Sequence, residues 1–174
     1  MFNANNLIDA DESAYLGKVF PDFDQTLMVV GSRNSSESLS ILFKQSFNVI
    51  SVKNNNGSIK SMGDKEIDLI LVDTSDDTVL WVEFLRQIRA DSLLNLTPVI
   101  VLSEKASTYE QITAFELGAL DVLVKPINPF VLTAKISNYM QLMKSVRELE
   151  LVSSTDVLTS LANRMQLDTM LLSE

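Results

Sequence analysis

The chain has 174 residues, a net charge of −9 and a hydrophobic fraction of 46%, enough for one ordinary domain with a sizeable core and an appendage. The acidic balance works against an electrostatic grip on nucleic acid or anionic lipid, and no apolar run approaches the roughly 20 residues of a membrane span. Cysteine and histidine are absent, which excludes disulfides, thiolate metal sites and the commonest general base and phospho-donor; a cytoplasmic protein is expected.

Residues 1–24 are polar and read as an N-terminal extension, with Leu7, Ile8, Tyr15 and Leu16 on one face of a short helix that Pro21 interrupts. Thr26 to Val30 is a first apolar strand, broken by Gly31 and Ser32. Ser35 or Ser36 can cap the next helix, whose Leu39, Leu42, Phe43 and Phe47 recur at helical spacing. Asn48 to Val52 suits a second strand, and Asn54 to Gly57 a turn. Residues 59–65 form at most a short, poor helix.

Asp68-Leu69-Ile70-Leu71-Val72-Asp73 sets four consecutive apolar residues between two aspartates. Such a run is too short for a helix and too apolar for a surface loop. It is expected as a strand buried on both faces of a parallel sheet. A polar loop with Asp76 and Asp77 follows, then a helix from Val79 to Arg89 with Val82, Leu85 and Ile88 inward. Val99 to Leu102 is the fourth strand, ending at Ser103. Tyr109 to Leu117 is a helix closed by Gly118, the residue that most readily takes the left-handed conformation at a helix end. Asp121 to Val124 is the fifth strand, followed by Lys125-Pro126, and Pro129 opens the last helix.

Five buried strands alternating with helices specify an α/β fold, a doubly wound parallel sheet. Right-handed crossovers bring every strand end to one rim, where ligands of open α/β sheets gather. Gly31, Ser32, Asp73, Ser103 and Lys125 share that rim. A carboxylate, a hydroxyl and an ammonium suit a tetrahedral anion. The carboxylate can attack phosphorus to give an acyl phosphate, while the lysine and serine meet oxygens of the transferred group. The same residue types equally suit a plain Lys125–Asp73 ion pair and a strand-end cap at Ser103.

Residues 26–138 resemble the receiver domain of two-component response regulators. The match lies in Asp68-Leu-Ile-Leu-Val-Asp73, Pro98-Val-Ile-Val-Leu-Ser103 and Gly118-Ala-Leu-Asp-Val-Leu-Val-Lys125-Pro126. The resemblance implies strand order 2-1-3-4-5, Asp73 as phospho-acceptor, Ser103 as switch hydroxyl, Lys125 as the phosphate-neutralising lysine and a cis bond before Pro126. It also implies Mg²⁺, held by Asp73 and the Ser75 backbone carbonyl, and a sensor histidine kinase or phosphotransfer protein as partner. The chain departs from the family where an acidic pair usually follows the first strand: here stand Gly31 and Ser32. Mg²⁺ wants oxygen ligands and carboxylate charge, so its binding is expected to be weak. Asp22 and Asp24 precede the first strand and lie at its wrong end, whereas Asp76 and Asp77 are closer. Val122 stands at the family's switch aromatic, and Trp81 replaces a common glycine.

Leu132, Ile136, Tyr139, Met143 and Val146 recur at alternating spacings of four and three, a stripe that runs past residue 138, with Leu142 and Leu149 beside it. This predicts a helical stalk over 139–153 that pairs with a second copy. Asp156-Val-Leu158-Thr159-Ser-Leu161-Ala-Asn163-Arg164 resembles the opening motif of GGDEF-type diguanylate cyclase domains. The resemblance implies that residues 154–174 begin such a domain and that residues 25–138 are its regulatory receiver. No catalytic element of a cyclase lies within the sequence, so the chain itself is not expected to be an enzyme. A pseudo-receiver, with the same fold and stalk but no phosphorylation through Mg²⁺, is the alternative.

Overall fold

The computed structural model describes residues 24–53, 66–75, 80–105 and 107–171. The expected helical face near Leu7, the turn and poor helix over 54–65, and Asp76 and Asp77 lie outside the described residues. The chain divides into two units, Met1–Ser137 and Asn138–Glu174.

In the first unit, strand β1 (Thr26–Gly31) is followed by α1 (Arg33–Phe43), β2 (Asn48–Lys53), β3 (Leu69–Asp73), α2 (Leu80–Ala90), β4 (Val99–Ser103), α3 (Thr108–Glu116) and β5 (Asp121–Val124). Helix α4 (Pro129–Leu171) begins here and runs on through the second unit. The five strands form one sheet in the order β2-β1-β3-β4-β5, and every pair is parallel. This is the expected topology.

The apolar runs are continuous because both faces of the central strands are covered. Met28, Val30, Ile70, Val72, Val99 and Val101 join Trp81, Phe84, Leu85, Ile88 and Ala114 in one cluster. Side chains alternate along a strand, so Leu27, Val29, Leu69, Leu71, Ile100 and Leu102 take the other face, and they too are buried. The inward stripe of α2 is wider than expected. Trp81 and Phe84 are buried with Leu85 and Ile88, while Val82 is half-buried. In the receiver part of α4, Leu132 and Ile136 are fully buried.

Two helix starts differ from expectation. The cap of α1 is Ser32, whose Oγ accepts from the Ser35 amide at 3.3 Å; neither Ser35 nor Ser36 is the cap. The helix therefore begins earlier and ends at Phe43, and Phe47 packs from beyond it, its ring 6.1 Å from that of Phe43. Helix α3 starts at Thr108, because Ser107 and Glu110 form a reciprocal capping box. Its end is as expected: Gly118 has φ +83°.

At the amino end of the sheet, Arg89 donates to the carbonyls of Asn95 at 2.8 Å, Thr97 at 3.0 Å and Gly118 at 2.7 Å. One guanidinium thus ties the loops that enter β4 and β5. Burial lowers its pKa from the usual arginine value.

Candidate functional site

The site is assembled by strand ends. The first strand stops at Gly31, the third at Asp73 and the fourth at Ser103. Lys125 lies one residue past β5. Its amide donates to the Ser103 carbonyl at 2.8 Å, which pins the lysine to the end of β4. The peptide between Lys125 and Pro126 is cis. The Thr74 amide donates to the Leu102 carbonyl at 2.9 Å, so the segment leaving β3 follows β4 before it turns.

These backbone bonds bring the two charged ends together. Lys125 Nζ donates to Asp73 Oδ2 at 2.7 Å. The Asp73 side chain is 1% exposed and that of Lys125 11%, so water screens the pair little. The other carboxylate oxygen is also engaged. Asp73 Oδ1 accepts from the Ser75 amide at 3.0 Å and from the Ser75 hydroxyl at 2.6 Å. That hydroxyl in turn accepts from Lys125 Nζ at 2.6 Å. Carboxylate, hydroxyl and ammonium therefore form a closed triangle, and a buried charge is tolerated when it is paired and fully hydrogen-bonded.

Asp73 and Lys125 are thus joined as the sequence suggested. Ser103 is buried on the same rim, with its Oγ accepting from the Lys105 amide at 3.3 Å. Ser75 was expected to offer only its backbone carbonyl; its amide and hydroxyl both serve Asp73. Nothing in the sequence marked that hydroxyl except its place two residues after the aspartate, where short turns bring an amide back to a carboxylate.

The described residues of the rim do not fit Mg²⁺. The ion demands near-octahedral oxygen coordination and usually carboxylate charge. Among the described residues no three carboxylates come together. Both oxygens of Asp73 already accept hydrogen bonds from Ser75 and Lys125. The end of β1 supplies Gly31 and the α1 cap Ser32, neither with a carboxylate. As it stands, the arrangement can hold a carboxylate next to an ammonium and a hydroxyl, with the charges balanced one against one.

Comparison with known proteins gives a consistent picture. The model of the family described as "Response regulator receiver domain" matches residues 32–137. Response regulator ArlR of Staphylococcus saprophyticus is 36% identical over 69 residues, 40% of this chain and 30% of its own length. The phosphate regulon transcriptional regulatory protein PhoB of Escherichia coli is 23% identical over 101 residues, 58% of this chain and 44% of its own length. The chain thus spans less than half the length of these curated relatives. Among solved structures, a response regulator from Thermotoga maritima superposes with a TM-score of 0.57 at 28% identity, covering 67% of this chain and 98% of that one.

Proposed function

Because the chain belongs to the response regulator receiver family, whose domains are regulatory in phosphorelay signalling and not themselves catalytic, we propose that its receiver part governs an attached diguanylate cyclase. In this reading Asp73 is the phospho-acceptor, Ser103 the switch hydroxyl and Lys125 the neutralising cation. The input partner is a sensor histidine kinase or phosphotransfer protein. Residues 25–138 receive, residues 139–153 are the stalk, and residues 154–174 open the output domain.

The observation that carries the reading is helix α4. It is one continuous helix from Pro129 to Leu171, and it contains both the last receiver segment and the cyclase-like motif from Asp156 to Arg164. A helix that continues from one domain into the next offers a route by which an arrangement of the first reaches the second. Leu142, Val146 and Leu149 are exposed at spacings of four and three. That seam asks for a partner, and a second copy of the same helix matches it.

Sedimentation at micromolar concentration tests this. The chain should sediment as a dimer, and Leu142→Asp with Val146→Asp should make it a monomer. A native monomer whose mass those changes leave alone would refute the stalk.

A second reading is favoured by Gly31 and Ser32. The module keeps the fold, the stalk and the output, but Asp73 is not phosphorylated through Mg²⁺. The two readings differ in the input alone.

A further inference from the structure

The missing acidic pair is more than two lost charges, because at position 31 the space a side chain needs is taken. A Cβ placed on Gly31 would meet Ser35 Oγ at 2.6 Å and Asp73 Cβ at 3.2 Å. The first distance is shorter than packed atoms tolerate. The Ser35 hydroxyl is directed there by two long hydrogen bonds to Ser32. Its Oγ donates to the Ser32 carbonyl at 3.3 Å and accepts from Ser32 Oγ at 3.2 Å. Its amide donates to that same Ser32 Oγ, so Ser32 is committed to capping α1. Of the two positions that would carry a carboxylate, position 31 is crowded by Ser35, and position 32 holds a serine that caps α1 without bringing negative charge.

We infer that Ser35 is a specificity-determining residue that closes this rim to divalent metal, leaving Lys125 as the cation Asp73 retains. Its hydroxyl fills the room that a side chain at position 31 needs. Its backbone holds Ser32 in the cap. The consequence is asymmetric. Restoring an aspartate at position 31 does not by itself restore a metal site, because the new side chain collides with the Ser35 hydroxyl. Removing that hydroxyl opens the space, and alanine keeps the helix since it is the best helix former. What remains is the contact with Asp73 Cβ, which a shift of a few tenths of an ångström relieves.

The inference rests on the receiver reading for the identity of position 31, but its test reads metal affinity and packing, whereas the stalk is read by sedimentation, so the two fail separately. Titrate MgCl₂ by calorimetry into the full chain, into Gly31→Asp, into Ser35→Ala and into the double variant, following the Ser75 amide by NMR. The native protein and both single variants should show no saturation up to about 10 mM. The double variant should bind at least about tenfold more tightly, since a carboxylate near the ion is worth on the order of 1–4 kcal/mol.

A parallel cycle guards against misfolding of the charged variants. Gly31→Ala should lower the melting temperature in the native background, and should cost clearly less in the Ser35→Ala background. Three outcomes overturn the inference. One is native protein saturating below a millimolar. Another is a folded double variant that binds no better than Gly31→Asp. The third is a Gly31→Ala cost that is equal in both backgrounds.

Discussion

Lys125, past the carboxyl end of β5, faces a carboxylate and a hydroxyl. Arg89, at the amino end of the sheet, faces three backbone carbonyls. Both cations are multiply hydrogen-bonded, Lys125 largely withdrawn from water and Arg89 half-buried, and they differ in kind. The carbonyls of Asn95, Thr97 and Gly118 are neutral and fixed by the chain, and nothing that reaches the protein can change their charge. The guanidinium fork suits such a cluster, and the result is a permanent clasp. The Asp73–Lys125 pair joins two ionisable side chains, and a change of charge at the carboxylate would change what Lys125 meets. The amino end of this receiver is tied through main-chain acceptors and the carboxyl end through ionisable side chains.

The comparison breaks most sharply at the lysine. Lys125→Met should leave the buried Asp73 carboxylate without its countercharge, at a cost of about 3–5 kcal/mol in denaturant unfolding. Adding Asp73→Leu to that change should recover most of the loss, because an apolar pair replaces an ionic one. If the double variant is as unstable as the single one, the pair is not the source of the cost.

Arg89→Met should cost less, about 1–3 kcal/mol, because water reaches part of this site and can serve the abandoned carbonyls. Arg89→Lys should recover only part of it, a compact ammonium being unable to span all three oxygens. Equal stability of the lysine and arginine proteins would reduce the clasp to a simple charge.

The smallest effect is expected at the clasp's partner loop. Gly118 has φ +83°, and an added Cβ would lie 2.7 Å from Arg89 Nε. Gly118→Ala should cost roughly 1–2 kcal/mol from the strained backbone. Any further cost from the contact with Arg89 should vanish in an Arg89→Ala background, where the obstructing side chain is gone, while the backbone strain remains.

The two ends were unequally legible in the sequence. Four-residue apolar runs such as Leu69–Val72 announce a two-sided strand. Once the strands alternate with helices, handedness alone places Asp73 and Lys125 on one rim. Arg89 gave no such signal, because its partners are main-chain carbonyls and carbonyls look alike at every position. The α1 cap was misplaced for a related reason. Ser32, Ser35 and Ser36 are all competent caps, and the choice depends on which hydroxyl reaches which amide. Ser107 and Glu110 did carry a readable capping-box spacing. Trp81 was read as a departure near the acceptor loop, yet it is a core residue, because α2 turns a broader face inward than its three aliphatic positions define. The role of Ser35 was hidden altogether. It rests on the approach of the Ser35 hydroxyl to the position a side chain at Gly31 would take, a contact between the end of β1 and the first turn of α1.

The most direct test is intact-mass analysis of the native chain after incubation with acetyl phosphate and Mg²⁺, beside Gly31→Asp with Ser35→Ala and the same double variant carrying Asp73→Asn. If the rim is closed to metal and Lys125 is its resident cation, the native protein should gain little or no phosphoryl mass. The double variant should gain one phosphoryl group, and Asp73→Asn should abolish that gain. Stoichiometric, Mg²⁺-dependent modification of Asp73 in the native chain would contradict the account.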